Sequence, residues 1–335
     1  VHGNVMVQRI SPHPGHPMGT TAPMDPHMHR GSLKGLIDMR DNTLGDLGSE
    51  LGQLAQATSS AFNQVHNAGA AYPPPTTLSG RDTGLLSTDA LNFTGDSTFA
   101  VTDSSGNLVS RVDVDFDNQT ISVDGGAGTS LADTVGGFTS ALNTALGSNG
   151  SASFANGALT VSANGTNGVV VQDDATTPSS RGGVGVSQFF GLNDLFHSAA
   201  PSILSTGLSA SDSSGLAAGG TISLEVKGPN GDIVKQASIT TTAGQSIGDV
   251  VSALNTALGG AASFTLNADG SISQSTSANY PGYSIGVTGD TTARGTTGVS
   301  FSQLFGIGSG AAAMQAQDFS LNSTIATNPG ALAFA

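Results

Sequence analysis

The sequence predicts an α+β protein: a long-helix base segment followed by two tandem, duplicated β-rich units, each carrying one short helix. Three observations carry this. The eight residues SALNTALG occur at 140–147 and again at 252–259, without a low-complexity run between them. Leucines recur at heptad spacing between residues 44 and 65. Charged residues make up 10% of the chain and there are 47 glycines, against usual shares of about 25% and about 7%. The polar surface is therefore mostly Ser, Thr, Asn and Gln, which suits strand faces and turns better than salt-bridged helices.

The first thirty residues are rich in Pro, Gly and His, with His2, His13, His16, His27 and His29 among them. Imidazoles in HPGHP and HMH are potential transition-metal ligands. An exposed Pro/Gly-rich segment fixes no ligand geometry, however, so the histidines are read as compositional. Residues Leu44, Leu47, Leu51, Leu54, Thr58, Ala61 and Val65 then alternate at steps of three and four, the spacing of a helix that packs lengthwise on other helices. Gly45, Gly48 and Gly52 weaken that helix in isolation, so its seam needs partners. Tyr72-Pro73-Pro74-Pro75 stops the helix, and 76–84 reads as a linker.

The repeat extends outward from SALNTALG. TFAVTDSSGNLVSRV (98–112) parallels ISLEVKGPNGDIVKQA (222–237), two alternating strands around a Gly-containing turn in each copy. Ser130 to Asp133 and Ser246 to Asp249 both fit the S-x-x-D helix-start pattern. The first copy has four more residues from that aspartate to SALNTALG, about one helical turn. SASFANGALTVS (151–162) and AASFTLNADGSISQ (261–274) follow as second hairpins. VSQFFGL (186–192) and FSQLFGI (301–307) close each unit as apolar anchors. The expected organisation is a base at 1–80, β-rich domains at 81–200 and 201–310, and a return segment at 311–335 that packs on the base.

Charge and chemistry exclude several functions. The net charge of -14 repels phosphate backbones and anionic membranes, so neither nucleic acid nor membrane is an expected partner. There is no cysteine, hence no disulfide or thiolate metal site. No apolar run approaches the ~20 residues of a bilayer span. The chain begins at Val1 without a signal pattern, and is expected to be a fragment of a longer protein.

Candidate catalytic motifs fail on inspection. Gly244-Gln-Ser246-Ile-Gly248 and Gly282-Tyr-Ser284-Ile-Gly286 match the nucleophile elbow, but that fold places its histidine after the serine, and the last histidine is His197. Ser246 is read as a helix cap instead. Asp113, Asp115, Asp117 and Asp124 approximate a calcium loop. Asn118 stands where the turn glycine belongs, and Val112, Val114 and Phe116 alternate with the acids as in a half-buried strand. A Walker A loop and a GxGxxG are absent. No enzyme activity, cofactor or metal is expected.

One stretch is specific. GSLKGLIDMRDNTLGDLGSELGQLAQATSSAFNQVHNAG (31–69) resembles the helical region of the bacterial flagellar hook-associated protein 1 family, the first hook-filament junction protein. Gly31, Leu33, Gly35, Leu36, Arg40 and Asp41 fit the family's opening pattern, and Ala61, Phe62, Asn63, His66 and Gly69 fit its AFNxxHxxG ending. The tail DFSLNSTIATNPGALAFA (318–335) resembles the strand and Asn-Pro turn that precede the family's C-terminal helices. The resemblance implies an extracellular flagellar protein, exported by the type III apparatus with an export chaperone and polymerised at the distal end of the hook. Its implied partners are a ring of its own copies, the hook protein and the next junction protein. Leu44, Leu47, Leu51, Leu54, Phe62 and Val65 would then form the helix-packing and subunit interface. A secreted adhesin or surface-layer protein would share the acidic β units but would not need the AFNQVHNAG helix.

Overall fold

The computed structural model describes residues 6–10, 17–23, 30–198, 200–201, 205–229, 232–317 and 319–334. His2, His13, His16, His27 and His29 lie outside the described residues. Strands β1 (Met6–Ile10) and β2 (Pro17–Pro23) pair as an antiparallel hairpin. Helix α1 (Ser32–Asp38) runs through a π-helical turn, Met39–Thr43, into α2 (Leu44–Asn67). The helix therefore ends five residues before the Tyr72-Pro73 bond, and a two-residue strand, β3 (Ala70–Ala71), follows it.

The segment expected to be a linker is instead structured in part. Thr77–Ser79 forms β4. The alternation of Thr77, Leu78 and Ser79 buries Leu78 between two exposed hydroxyl residues, which is a strand signal too short to stand out from a polar loop.

The first unit contains β5 (Asp96–Thr102), β6 (Leu108–Asp115), β7 (Thr120–Val123), β8 (Thr129–Ser130), helix α3 (Val135–Leu146), β9 (Gly150–Ala155), β10 (Ala158–Ala163) and β11 (Gly168–Asp173). Short helix α4 (Val186–Phe190) and β12 (Phe196–His197) close it. The second unit has β13 (Thr221–Lys227), β14 (Ile233–Thr240), helix α5 (Ile247–Leu258), β15 (Ala262–Leu266), β16 (Ile272–Thr276), β17 (Ser284–Asp290) and short helix α6 (Phe301–Leu304). The chain returns through α7 (Gly308–Met314), β18 (Ser320–Leu321), α8 (Ser323–Thr327) and β19 (Ala333–Phe334).

The main sheets run β11-β5-β6-β7-β8 and β17-β13-β14, all antiparallel. The order of the first three strands is the same in both, as a duplication requires. The hairpins β9-β10 and β15-β16 follow the helices, with β4 added to the outer edge of β10. The turn of β9-β10 is Asn156-Gly157, both at positive φ (49° and 79°), as a two-residue hairpin demands.

SALNTALG has the same function in both copies. Leu142, Leu146, Leu254 and Leu258 are buried. The asparagine between them ties helix to hairpin: Asn143 Oδ1 accepts from the Ala152 N–H at 3.0 Å, and Asn255 Oδ1 accepts from the Phe264 N–H at 2.7 Å. Gly147 and Gly259 end the helices at φ 54° and 60°. Each octapeptide thus packs, turns and docks one helix end.

Two expectations about the helix starts need correction. Ser130 does not cap α3; it sits exposed in β8. The cap is Thr134, whose side chain accepts from the Gly137 N–H at 3.0 Å, and Thr134 is the true counterpart of Ser246. Both helices have twelve residues, so the additional residues do not lengthen α3. The length difference lies upstream, where 116–133 separate β6 from the Thr134 cap and only 241–245 separate β14 from Ser246. That insertion builds β7 and β8. The closing motifs were expected as apolar anchors and are also helices, so each unit carries two. Ser300 and Gln303 form a capping box at the second.

Ser246 also forms a full capping box. Its Oγ accepts from the Asp249 N–H at 3.1 Å, and the Asp249 carboxylate accepts from the Ser246 N–H at 2.9 Å. The Ser246 backbone and side chain hold the Asp249 carboxyl below its ordinary range. Ser246→Ala and Thr134→Ala are each expected to lower stability by about 1 kcal/mol, whereas Ser130→Ala changes it by less than about 0.5 kcal/mol. Denaturant midpoints at unchanged slope measure the three.

Candidate assembly interface

Helix α2 presents two faces of opposite chemistry. On one, Gly52, Asn63, His66 and Asn67 are buried. His66 and Asn67 follow Asn63 by three and four residues, and Gly52 precedes it by eleven, about three turns, so the four lie along one side of the helix. Gly52 receives α7: a Cβ there would lie 1.9 Å from the carbonyl oxygen of Ala312, and one at Gly48 would lie 3.5 Å from the Ala313 Cβ. Gly52, one of the three glycines that weaken the helix in isolation, is what lets the return helix approach its backbone.

Gly52→Ala separates the two effects. Helix propensity alone would stabilise the variant by about 1 kcal/mol, but backbone overlap costs about 1–3 kcal/mol and displaces α7. The expected result is a net loss of thermal stability with faster proteolysis within 308–334. A more stable variant would contradict this docking.

At the end of α2 the signature residues form a polar clasp onto the loop before β12. Asn63 accepts through Oδ1 from the N–H groups of Leu195 and Phe196, each at 2.9 Å, and its Nδ2 donates to the Phe196 carbonyl at 2.9 Å. His66 Nδ1 meets the Asn193 carbonyl, and Nε2 accepts from the Ala333 N–H at 2.7 Å. Those partners require a neutral ring with its proton on Nδ1.

Asn67 is also fully satisfied. Its Nδ2 donates to the Asn63 carbonyl at 2.9 Å and to Asp194 Oδ1 at 2.8 Å, while Oδ1 accepts from Ser187 Oγ and the Asn193 N–H. Asp194, buried, takes its charge partner from Arg81 at 2.7 Å. The Arg81 guanidinium also donates to the Gln188 carbonyl. β19 pairs with β3, and β18 with β12, which brings the return segment to the same place. A cavity of about 120 Å³ lies beside it, lined by Ser59, Arg81, Asp82, His197 and Gln315 among others. Burial pushes the Asp82 carboxyl up, against the opposing effect of the Gly84 N–H.

The other face of α2 is bare among the described residues. Leu44, Leu47, Leu51, Leu54, Phe62 and Val65 are 54–67% exposed. Leu33, Leu36 and Met39 continue the apolar surface through α1 and the π turn. Phe62 stands partly apart: its ring meets Phe196 edge-on at 5.6 Å, and Phe196 stacks on Phe319 at 5.1 Å. The returning chain, expected among the neighbours of the heptad seam, lies on the glycine face instead. Together these side chains form a contiguous exposed apolar stripe rather than single scattered apolar residues.

The discounted chemical motifs have structural uses. Ser246 is a cap, and the Ser284 hydroxyl faces the Lys227 carbonyl. Asp113 bonds Thr98 and Arg111, Asp115 closes a turn on Asn118, and Asp124 accepts from the Arg111 N–H. Val112 and Val114 are buried between them, so β6 is the half-buried strand its alternation indicated.

Sequence reading found Asn63 and His66 through the signature but missed Asn67, Arg81 and Asp194. The isolated charges Arg81 and Asp194 sit in irregular segments with no periodic signal. Residues 10–80 match the family model described as the flagellar hook-associated protein FlgK helical domain. No curated protein and no solved structure matches the chain.

Proposed function

We propose that this chain is a non-catalytic subunit of the junction between flagellar hook and filament. In this reading it assembles as a ring of its own copies between the hook protein and the next junction protein, after type III export with a chaperone. Residues 1–80 and 311–335 act as the base, and the units at 81–200 and 201–310 project from it. The observation that carries the reading is the division of labour on α2. Gly52, Asn63, His66 and Asn67 on one face are engaged by the rest of the chain, while its leucine face is left open beside the FlgK-type signature. Burying that stripe against neighbouring helices supplies the driving force for assembly.

Immunogold labelling tests the location. An epitope placed in the exposed turn between Gly165 and Thr166 is expected to mark a single band where hook meets filament. Label along the filament, or none on flagella of cells that make the protein, would contradict the proposal.

A further inference from the structure

Each β-rich unit carries one arginine at an equivalent place: Arg181-Gly182 ahead of α4, and Arg294-Gly295 ahead of α6. Arg181 is 1% exposed and Arg294 0%, among the most expensive side chains to bury. Neither is spent on its own unit alone.

Arg294 reaches back 205 residues to Asp89, making a two-pronged ion pair at 2.7 and 2.8 Å. The same guanidinium donates to the Gly84 carbonyl of the first unit at 2.6 Å and to the Ser214 carbonyl of the second at 2.9 Å. Arg181 makes the reverse crossing. Its Nε donates to the Thr206 carbonyl, at the start of the second unit, at 2.9 Å, while Nη1 donates to the Ala90 and Leu91 carbonyls of the first. Its guanidinium carbon lies over the Phe189 and Phe93 rings, 5.0 and 5.9 Å from their centroids. Burial brings the Arg181 pKa down to about 10.

The backbone is shaped to admit both crossings. A Cβ at Gly207 would lie 2.6 Å from Arg181 Cγ, and one at Gly84 would lie 2.8 Å from Leu304 Cδ1 of the other unit. Both glycines hold positive φ, 65° and 70°. Leu86 likewise presses on Gly215 and Gly295 of the second unit. The lead-in of each unit is thus completed by the closing motif of the other, and the buried side chains of both form one hydrophobic cluster.

We infer that Arg181 and Arg294 form a reciprocal clasp that makes the duplicated units a single rigid and cooperative body rather than two beads on a string. Calorimetry and hydrogen exchange on the full chain test this. Wild-type protein is expected to lose α3 and α5 in one thermal transition, with their slowest amides opening at the same rate within threefold. Two resolved transitions, or opening rates more than tenfold apart, would overturn the inference.

Arg294→Lys keeps the charge but cannot make the forked contact with Asp89. It is expected to speed exchange in 84–93 by about 100-fold or more and to separate the openings of α3 and α5. Arg111→Lys, whose ion pair with Asp113 is exposed, serves as the control and leaves them together. An Arg294→Lys chain with wild-type exchange in 84–93 and a single unchanged transition would overturn the clasp. If that variant does not fold, the wild-type comparison alone decides.

Discussion

Replacing Leu51 and Leu54 together by Asp is expected to leave the melting temperature of the isolated chain within about 2 °C of wild type and to abolish filament growth. Both leucines lie on the bare stripe, at 55% and 64% exposure, so a carboxylate at either place stays hydrated in the free chain. In the proposed junction the stripe would be covered, and two unpaired carboxylates would be buried at a cost of several kcal/mol each. The proposed reading assigns that contact to assembly and not to export of filament subunits. The expected phenotype is therefore complete hooks, filament subunits in the medium and no filaments. Normal filaments containing the variant protein would remove the junction role. A collapse of monomer stability would show that the stripe is covered within the chain itself.

Asn67→Leu is expected to have the opposite signature: a loss of about 3–5 kcal/mol in the isolated chain, measured by chemical denaturation. Asn67 occupies four partners at once, the Asn63 carbonyl, Asp194 Oδ1, Ser187 Oγ and the Asn193 N–H. A leucine strands a buried hydroxyl and a partly buried amide donor, at up to about 1–3 kcal/mol each, and withdraws a hydrogen bond from a buried carboxylate. Arg81 remains on Asp194, which keeps the loss below that of an unpaired buried charge. The loop at 193–196 then releases Asn63 and His66, and with His66 goes the acceptor for the Ala333 N–H. Protease sensitivity in the return segment should rise together with the stability loss. A variant as stable as wild type would mean that the clasp does not hold the stem to the body.

Much of this was legible in the sequence where it is periodic. Alternation gave β5, β6, β13 and β14, and the heptad leucines gave α2 close to its observed limits. The repeated octapeptide located two helices whose leucines are buried and whose asparagine accepts from a hairpin N–H nine residues on in both copies. Reading failed where a local pattern competed with a tertiary one. Ser130 to Asp133 matches a capping box, but Ser130 is pulled into β8 by pairing with Thr120, and the less conspicuous Thr134 takes the cap. The heptad pattern marked the apolar face of α2 but not that this face lies bare among the described residues. Gly48 and Gly52, read as weaknesses, are the docking surface for α7. Arg81, Arg181 and Arg294 lie in glycine-rich connections where a charge has no period. Only the shared Arg-Gly ahead of each Ser-Gln-x-Phe-Gly motif could have marked the last two.

The most direct measurement uses the absence of cysteine from the sequence. A single Leu47→Cys substitution places a thiol on the bare stripe, and its reaction with a maleimide can be compared in the purified chain and in intact flagella. Rapid labelling of the purified chain and strong protection in flagella, released when the filaments are dissociated, is the expected result. Equal labelling in both states would show that the leucine face is not an assembly interface.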